Sequence, residues 1–437
     1  MKHGVGKLAL ASAITLTFGL AACSNGTSTD QEPGAQGNSD EPITLTMWAW
    51  ASNIDKRVDA WNSTHPEVQV ELTDPGGGAA TVAKLLAAAK AGNAPDLAQS
   101  EYGNLASMVS GGVASDITEE FGEYADKYTS AVRQLVTFND TVYGVPQDLG
   151  PTMMFYRADL FEEYGIDVPK TWDEFAQTAE QLHAEHPDVH LGNFDPKDDT
   201  VLLTMTQQAG GSWWAVDGST WSVDIDSDEG REVTSYWEDL VDSGAISAMP
   251  GGTPGWIKAM DNGTILTTIS GVWAPGVLAG MLDESVGHWA SARTPQWIPG
   301  DQRVGYSGGS ATIVTNDSDH PQAAAKFALW LNASDEGATG LAEIAKFPAA
   351  TAGQEALDEP PALMPEDEDF YDLARDVASD TLPVVYGPNT SYAWTAYGDA
   401  FGKAITDGTP WLEALAEMDK DVTENLQKAG YEVADQT

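Results

Sequence analysis

The chain is poor in cysteine, in positive charge and in long apolar runs. A single cysteine, Cys23, among 437 residues leaves no partner for an internal disulfide, so the fold must stand on its core. Lys and Arg together number 21 against 67 Asp and Glu, a formal charge of −46. Such a surface repels nucleic acid and anionic lipid and disfavours polyanionic ligands. Past residue 20 no apolar run approaches the ~20 residues that a membrane-spanning helix needs. The glycine-rich stretches at 76–78 and 307–310 lack the Gly-Lys-Ser/Thr of a phosphate loop. No repeat of fixed period is present. Aromatics, by contrast, are plentiful: 15 Trp, 13 Tyr and 11 Phe.

The N-terminus has the three-part layout of an export signal. Lys2 and Lys7 precede an apolar run from Leu8 to Leu20, and small residues Ala21 and Ala22 follow. Leu20-Ala21-Ala22-Cys23 resembles a bacterial lipobox. That resemblance implies a lipoprotein signal peptide over 1–22 and acyl chains on Cys23 that hold the chain at the cell membrane. Each buried CH₂ of such a chain contributes ~0.8 kcal/mol. Cleavage removes two lysines and no acid, leaving a charge of −48 on 415 residues. Residues 23–42, rich in Ser, Gly, Asn, Pro and acids without an apolar period, read as a flexible tether. A chain that is exported, acidic and aromatic-rich suits a neutral polar ligand better than an anion.

The globular part begins at Ile43. In "ITLTMWAW" Ile43, Leu45 and Met47 share one face while Thr44, Thr46 and Trp48 share the other, the pattern of a strand. A helix follows, with Ile54, Val58 and Trp61 on one side. A strand at 68–72, a helix through Leu85 and Leu86, and a strand "PDLAQS" come next. Strand and helix in alternation specify an α/β sheet with right-handed crossovers. Ligands of such sheets sit at the carboxyl ends of the strands. That places Trp48, Trp50, Glu101 and Tyr102 at a mouth. Farther on, Thr171 and Glu174 have capping-box spacing. Trp61, Trp172, Trp237, Trp330 and Trp411 fit helical core periods. Residues 359–369 read as an exposed loop.

"YRADLFEEYGIDVPKTWDEF", Tyr156 to Phe175, resembles a segment of the bacterial extracellular solute-binding proteins, family 1, that serve sugar-importing ABC transporters. Tyr156, Leu160, Phe161, Gly165, Pro169, Thr171, Trp172, Glu174 and Phe175 match; Arg157 stands where the family commonly has Asn. Residues 261–276, 305–331 and 347–353 resemble the family as well. The resemblance implies two α/β lobes joined by hinge segments, with ligand in the cleft between them. One lobe is expected from 43–151 and 307–365, the other from 152–306 and 366–437. Crossings are expected near Gly150–Thr152, near Gly305–Gly309 and near residue 365. It further implies a monomeric binding protein without cofactor, whose partners are an oligosaccharide and the membrane permease.

A sugar ring needs flat aromatic platforms for its C–H faces and polar side chains for its hydroxyls. Trp273, in "SGVWAPG", stands at the end of an alternating strand, with Gly271, Pro275 and Gly276 ruling out a helix interior; in the family a tryptophan here stacks on ligand. Trp48 and Trp50 occupy the non-core face of the first strand. Trp213 and Trp214 are adjacent in a Gly-rich loop; two neighbouring indoles cannot both face one core, so one is expected at a surface or a site. Tyr392 and Trp394 are read as loop residues. For polar contacts Glu101, Gln147, Asp148, Ser307 and Gly308 are the candidates, because carboxylates accept strongly from hydroxyls. Asn53 reads as the cap of the first helix.

Two rival readings remain. A surface-anchored glycoside hydrolase needs two acids across the scissile bond, and 67 acids always offer some pair. Metal capture has "HAEHPDVH", with His183, His186 and His190, but Pro187 interrupts the helix and no cysteine helps. "DIDSDEGREVTS" begins like a calcium loop and fails at Glu229 and Ser235.

Overall fold

In a computed structural model of the chain, residues 42–434 are described, save Gly78 and Ala345. Cys23, the signal peptide and all of the tether but Pro42 lie outside the described residues. Along the chain run β1 (Ile43–Trp48), α1 (Ile54–Thr64), β2 (Val68–Thr73), α2 (Ala79–Lys90), β3 (Leu97–Glu101), α3 (Tyr102–Ser110) and β4 (Val145–Asp148). Then come β5 (Thr152–Arg157), α4 (Trp172–Glu185), α5 (Thr200–Ala209), α6 (Asp228–Asp242), β6 (Thr267–Gly271) and β7 (Trp289–Arg293). The last part holds β8 (Ser310–Val314), α7 (Pro321–Ala333), α8 (Phe370–Ser379), α9 (Thr390–Asp407) and α10 (Trp411–Lys428), with shorter elements between.

The larger sheet has the order β2-β1-β3-β8-β4. β1 is parallel to β2 and β3, and β8 runs antiparallel to β3 and β4. As the alternation in the sequence requires, Leu45 and Met47 of β1 are fully buried. A smaller antiparallel sheet has the order β6-β5-β7. Two apolar clusters organise the molecule. The first holds Leu45, Leu97, Ile313 and Phe327; the second holds Phe175, Leu202, Trp237, Phe401 and Leu415. β5 joins them by the two-residue period of a strand: Met153 and Phe155 belong to the first cluster and Met154 to the second. This is the two-lobe α/β architecture expected.

The capping box of α4 is complete, with Thr171 Oγ1 accepting from Glu174 N and Glu174 reaching back to Thr171 N. Asn53 is a different case. It precedes α1 in the left-handed region, at φ 60°, and its side chain makes no capping bond. Residues 359–369 form a loop whose Leu363 and Met364 are nonetheless fully buried.

Between β4 and β5 the chain leaves the large sheet for the small one, and before β8 it returns. The two passages run side by side. Ser307 N donates to Gly150 O at 2.7 Å and Thr152 N to Gly305 O at 3.0 Å. A Cβ on Gly150 would lie 1.9 Å from Ser307 O, so only glycine permits this approach.

Candidate functional site

At these passages lies a cavity of about 320 Å³, within the range of small-molecule pockets. Its walls come from both sheets and the connection. Glu101 and Gly103 enter from the β3–α3 junction, Ser307 and Gly308 from the returning passage. Lys197, Asp198, Asp199, Thr200, Leu203, Trp273, Tyr386 and Trp394 complete it. A second chamber of about 330 Å³, with Trp256, Ile269 and Met281 in its wall, shares Lys197, Asp198, Thr200 and Trp273 with the first. The two form an extended groove with Trp273 at their junction.

Trp273 follows β6 and precedes a five-residue helix, Ala274–Leu278, which contains the Pro275 and Gly276 expected to forbid one. Proline fits because it falls in the first turn, where its missing N–H has no helical partner anyway. The indole is pinned: Nε1 donates to Ser307 O at 3.1 Å. Gly308, at φ +73°, lies so close that a Cβ there would come within 3.1 Å of that nitrogen. Trp394 sits on α9 and its ring lies over Gly103, 3.2 Å from where a Cβ would stand. It is a helical residue, as is Tyr392, and not a loop residue.

The electrostatics are acidic. Burial, with Asp148 and Asp198 nearby, pushes the Glu101 carboxyl up to about 7; its one hydrogen-bond donor among the described residues is Asn104 Nδ2, at 3.1 Å. Asp199 is buried and Oδ2 has no partner among the described residues. Burial, reinforced by Asp198, holds its carboxyl well above the ordinary range. Lys197 is the one cation in this wall, and its ammonium is bonded to Gly398 O of α9. The cavity therefore offers acceptors, carboxyl groups whose hold on the proton is strengthened by burial, and ring faces, which suits hydroxyl groups on an apolar frame.

A family model described as bacterial extracellular solute-binding protein matches residues 49–338. The chain belongs to this family. Among curated relatives of this solute-binding protein, an arabinooligosaccharide-binding protein of Halalkalibacterium halodurans is 25% identical over 345 residues, 75% of each chain. A lactose-binding protein of Rhizobium radiobacter is 25% identical over 407 residues, 88% of this chain and 93% of that one. Among solved structures, the ABC-transporter-associated binding protein from B. animalis subsp. lactis Bl-04, in complex with β-1,6-galactobiose, has a TM-score of 0.81. It is 25% identical, with 90% of this chain and 100% of that one covered.

Of the residues expected at the site of this solute-binding protein, the structure brings together Glu101, Trp273, Ser307, Gly308 and Trp394. Trp50 is outside that wall and shares a small side crevice with Glu101. Trp48 is half-buried against the first cluster. Tyr392 is 40% exposed and outside the cavity wall.

The others are buried. Tyr102 is 2% exposed within the first cluster, because α3 turns it inward one residue after Glu101. Gln147 is fully buried and Asp148 is 5% exposed. β4 is an edge strand, but 347–349 covers its free edge, Ala349 N bonding Gln147 O and Pro348 bridging Asp148. Asp148 Oδ1 is held by Ser310 Oγ at 2.6 Å, so it acts on the site through its charge on Glu101. Trp213 and Trp214 are each 1% exposed, their rings 5.9 Å apart. Adjacent indoles do share one core here: both belong to the second cluster and Trp214 lies against Gly387, although the rest of the strand that Trp214 opens is exposed.

Lys197, Asp198, Asp199 and Thr200 went unread in "FDPKDDT", where they look like a solvated turn. Gly305-Tyr306-Ser307-Gly308-Gly309 has the spelling Gly-x-Ser-x-Gly. A nucleophile elbow needs a strand, a turn and a helix. Here a strand, β8, follows, and Ser307 Oγ lies 3.1 Å from Thr200 Oγ1 rather than on a histidine. His183 and His190 stack at 5.9 Å, with His190 Nδ1 bonded to Gly244 O. Among the described residues no cluster of His, Cys, Asp and Glu could hold a metal ion.

Proposed function

We propose that this chain is the substrate-binding component of an ABC importer that captures a neutral oligosaccharide between its lobes and delivers it to the permease. The observation that carries the reading is the two-chambered groove at the interlobe passages, with Trp273 at the junction and Trp394 and Tyr386 beside it. Two joined chambers suit more than one sugar ring. The relatives whose names include arabinooligosaccharide, lactose and β-1,6-galactobiose support the ligand class. In this reading the lobes are 43–151 with 307–365 and 152–306 with 366–437. The protein acts as a monomer without catalysis or cofactor, held at the outer face of the cell membrane by acylated Cys23. Among the described residues no helix is long and apolar enough to cross a membrane.

The test is a tryptophan-fluorescence titration with arabino- and galacto-oligosaccharides, using metal ions and amino acids as controls. A saturable change with one sugar class is expected, lost or weakened about thirty-fold in Trp273→Ala, since a central aromatic contact contributes ~2 kcal/mol. Hydrolysis of the sugars, or saturation by a metal and no sugar, overturns the reading.

A further inference from the structure

Beside the groove, α3 and α9 meet through hydrogen bonds between the lobes. α3 belongs to the first cluster through Tyr102, Leu105 and Met108. α9 belongs to the second through Ala393, Tyr397 and Phe401. Ser391 Oγ, in the first turn of α9, donates to Asn104 Oδ1 of α3 at 2.5 Å. Ser107 Oγ, one turn farther along α3, donates to Pro388 O at 2.7 Å. The other end of the Asn104 amide is also used, Nδ2 donating to Glu101 Oε2 at 3.1 Å. Asn104 is 2% exposed, and neither it nor Ser391 lines the cleft cavity.

An amide has a donor end and an acceptor end. Turned over, Asn104 would set its oxygen against the Glu101 carboxylate and its NH₂ toward Ser391. The carboxylate therefore selects the orientation that offers Oδ1 to the opposite lobe. A ligand hydroxyl that holds Glu101 in place also holds the amide, and a closed lobe contact holds Glu101.

We propose that Asn104 and Ser391 form a positioning latch that couples Glu101, on the cavity wall, to contact between the lobes and so sets how slowly bound ligand leaves. This rests on the sugar-binding reading above. Two sites that stabilise one another through one two-state contact are coupled reciprocally: ligand favours the joined lobes, and the joined lobes favour ligand.

The experiment compares wild type, Ser391→Ala, Asn104→Ala and the double variant. The ligand-free radius of gyration is measured by small-angle scattering, and β-1,6-galactobiose association and dissociation by stopped-flow fluorescence. Ser391 is only part-buried, on a first helical turn that accepts alanine, so this variant keeps the fold if Asn104→Ala does not. Thr395→Ala is the control, its hydroxyl bonding only Ser391 O within α9. The expected result is a larger ligand-free radius in Ser391→Ala and sugar dissociation about five-fold faster, the worth of one hydrogen bond. Association stays at the wild-type rate, and the double variant is no worse than Asn104→Ala. A wild-type radius in Ser391→Ala, or an unchanged dissociation rate, overturns the latch. If the wild type takes no sugar at all, the sugar-binding reading fails by itself, and the ligand-free radius still decides the latch.

Discussion

Proton binding at Glu101 should govern ligand affinity near neutral pH. Burial, then the charges of Asp148 and Asp198, push this carboxyl from its ordinary 4.5 to about 7. A group titrating there is about one-tenth ionised at pH 6 and nine-tenths ionised at pH 8. If the ligand hydroxyl bonds the carboxylate, the apparent dissociation constant scales inversely with that ionised fraction. Affinity then rises about ten-fold from pH 6 to pH 8, the direction given by the stronger bond to a charged acceptor. Isothermal titration calorimetry in two buffers of different ionisation enthalpy measures both the affinity and the protons released, which should approach one per ligand at pH 6. Glu101→Gln should flatten the profile. The same carboxyl also gives a stability signature. Its folded pKa lies above the unfolded value, so the folded state holds the proton more tightly, and stability is lost as pH rises from about 4.5 to about 7. Glu101→Gln should therefore raise the melting temperature at pH 8 and leave it nearly unchanged at pH 4. Equal affinity at pH 6 and pH 8 with no proton released would refute the assignment of Glu101 as a ligand acceptor.

Two further changes separate the site from the core. Gly308→Ala puts a side chain at φ +73° and within 3.1 Å of the Trp273 indole. It should cost about 1 kcal/mol in stability from backbone strain alone and weaken sugar binding by tilting the ring, both read from thermal melts with and without sugar. Trp214→Ala removes a fully buried indole and should destabilise by about 3–5 kcal/mol in urea unfolding. It should leave the affinity of the folded fraction unchanged, and a selective loss of affinity would restore Trp214 to the binding surface.

Local pattern carried much of the architecture. The strand–helix alternation of residues 43–101, the Thr171–Glu174 box and the buried Trp61, Trp172, Trp237 and Trp411 were all legible, because each depends on residues a few positions apart; Trp330, read in the same way, is only part-buried against the first cluster. Half-legible was the pair Tyr392 and Trp394: their aromatic character is plain, but they read as loop residues where α9 begins at Thr390. The segment 195–200 was illegible, since Asp198 and Asp199 are indistinguishable from solvated turn acids until the fold buries one of them.

By itself, then, the sequence determined the order and type of the elements from 43 to 101, the apolar faces that seed two cores, and the glycines that let two passages run in contact. The tertiary structure alone decided which aromatics and acids meet. Trp213, Trp214 and Trp273 all follow closely on glycine and all read as candidates for a site, yet the first two are sealed in a core and the third stands between two chambers. The physical reason is that periodicity reports which face a side chain takes, while exposure depends on what covers that face. For this chain the cover comes from segments up to about three hundred residues away, as Ser391 meeting Asn104 shows.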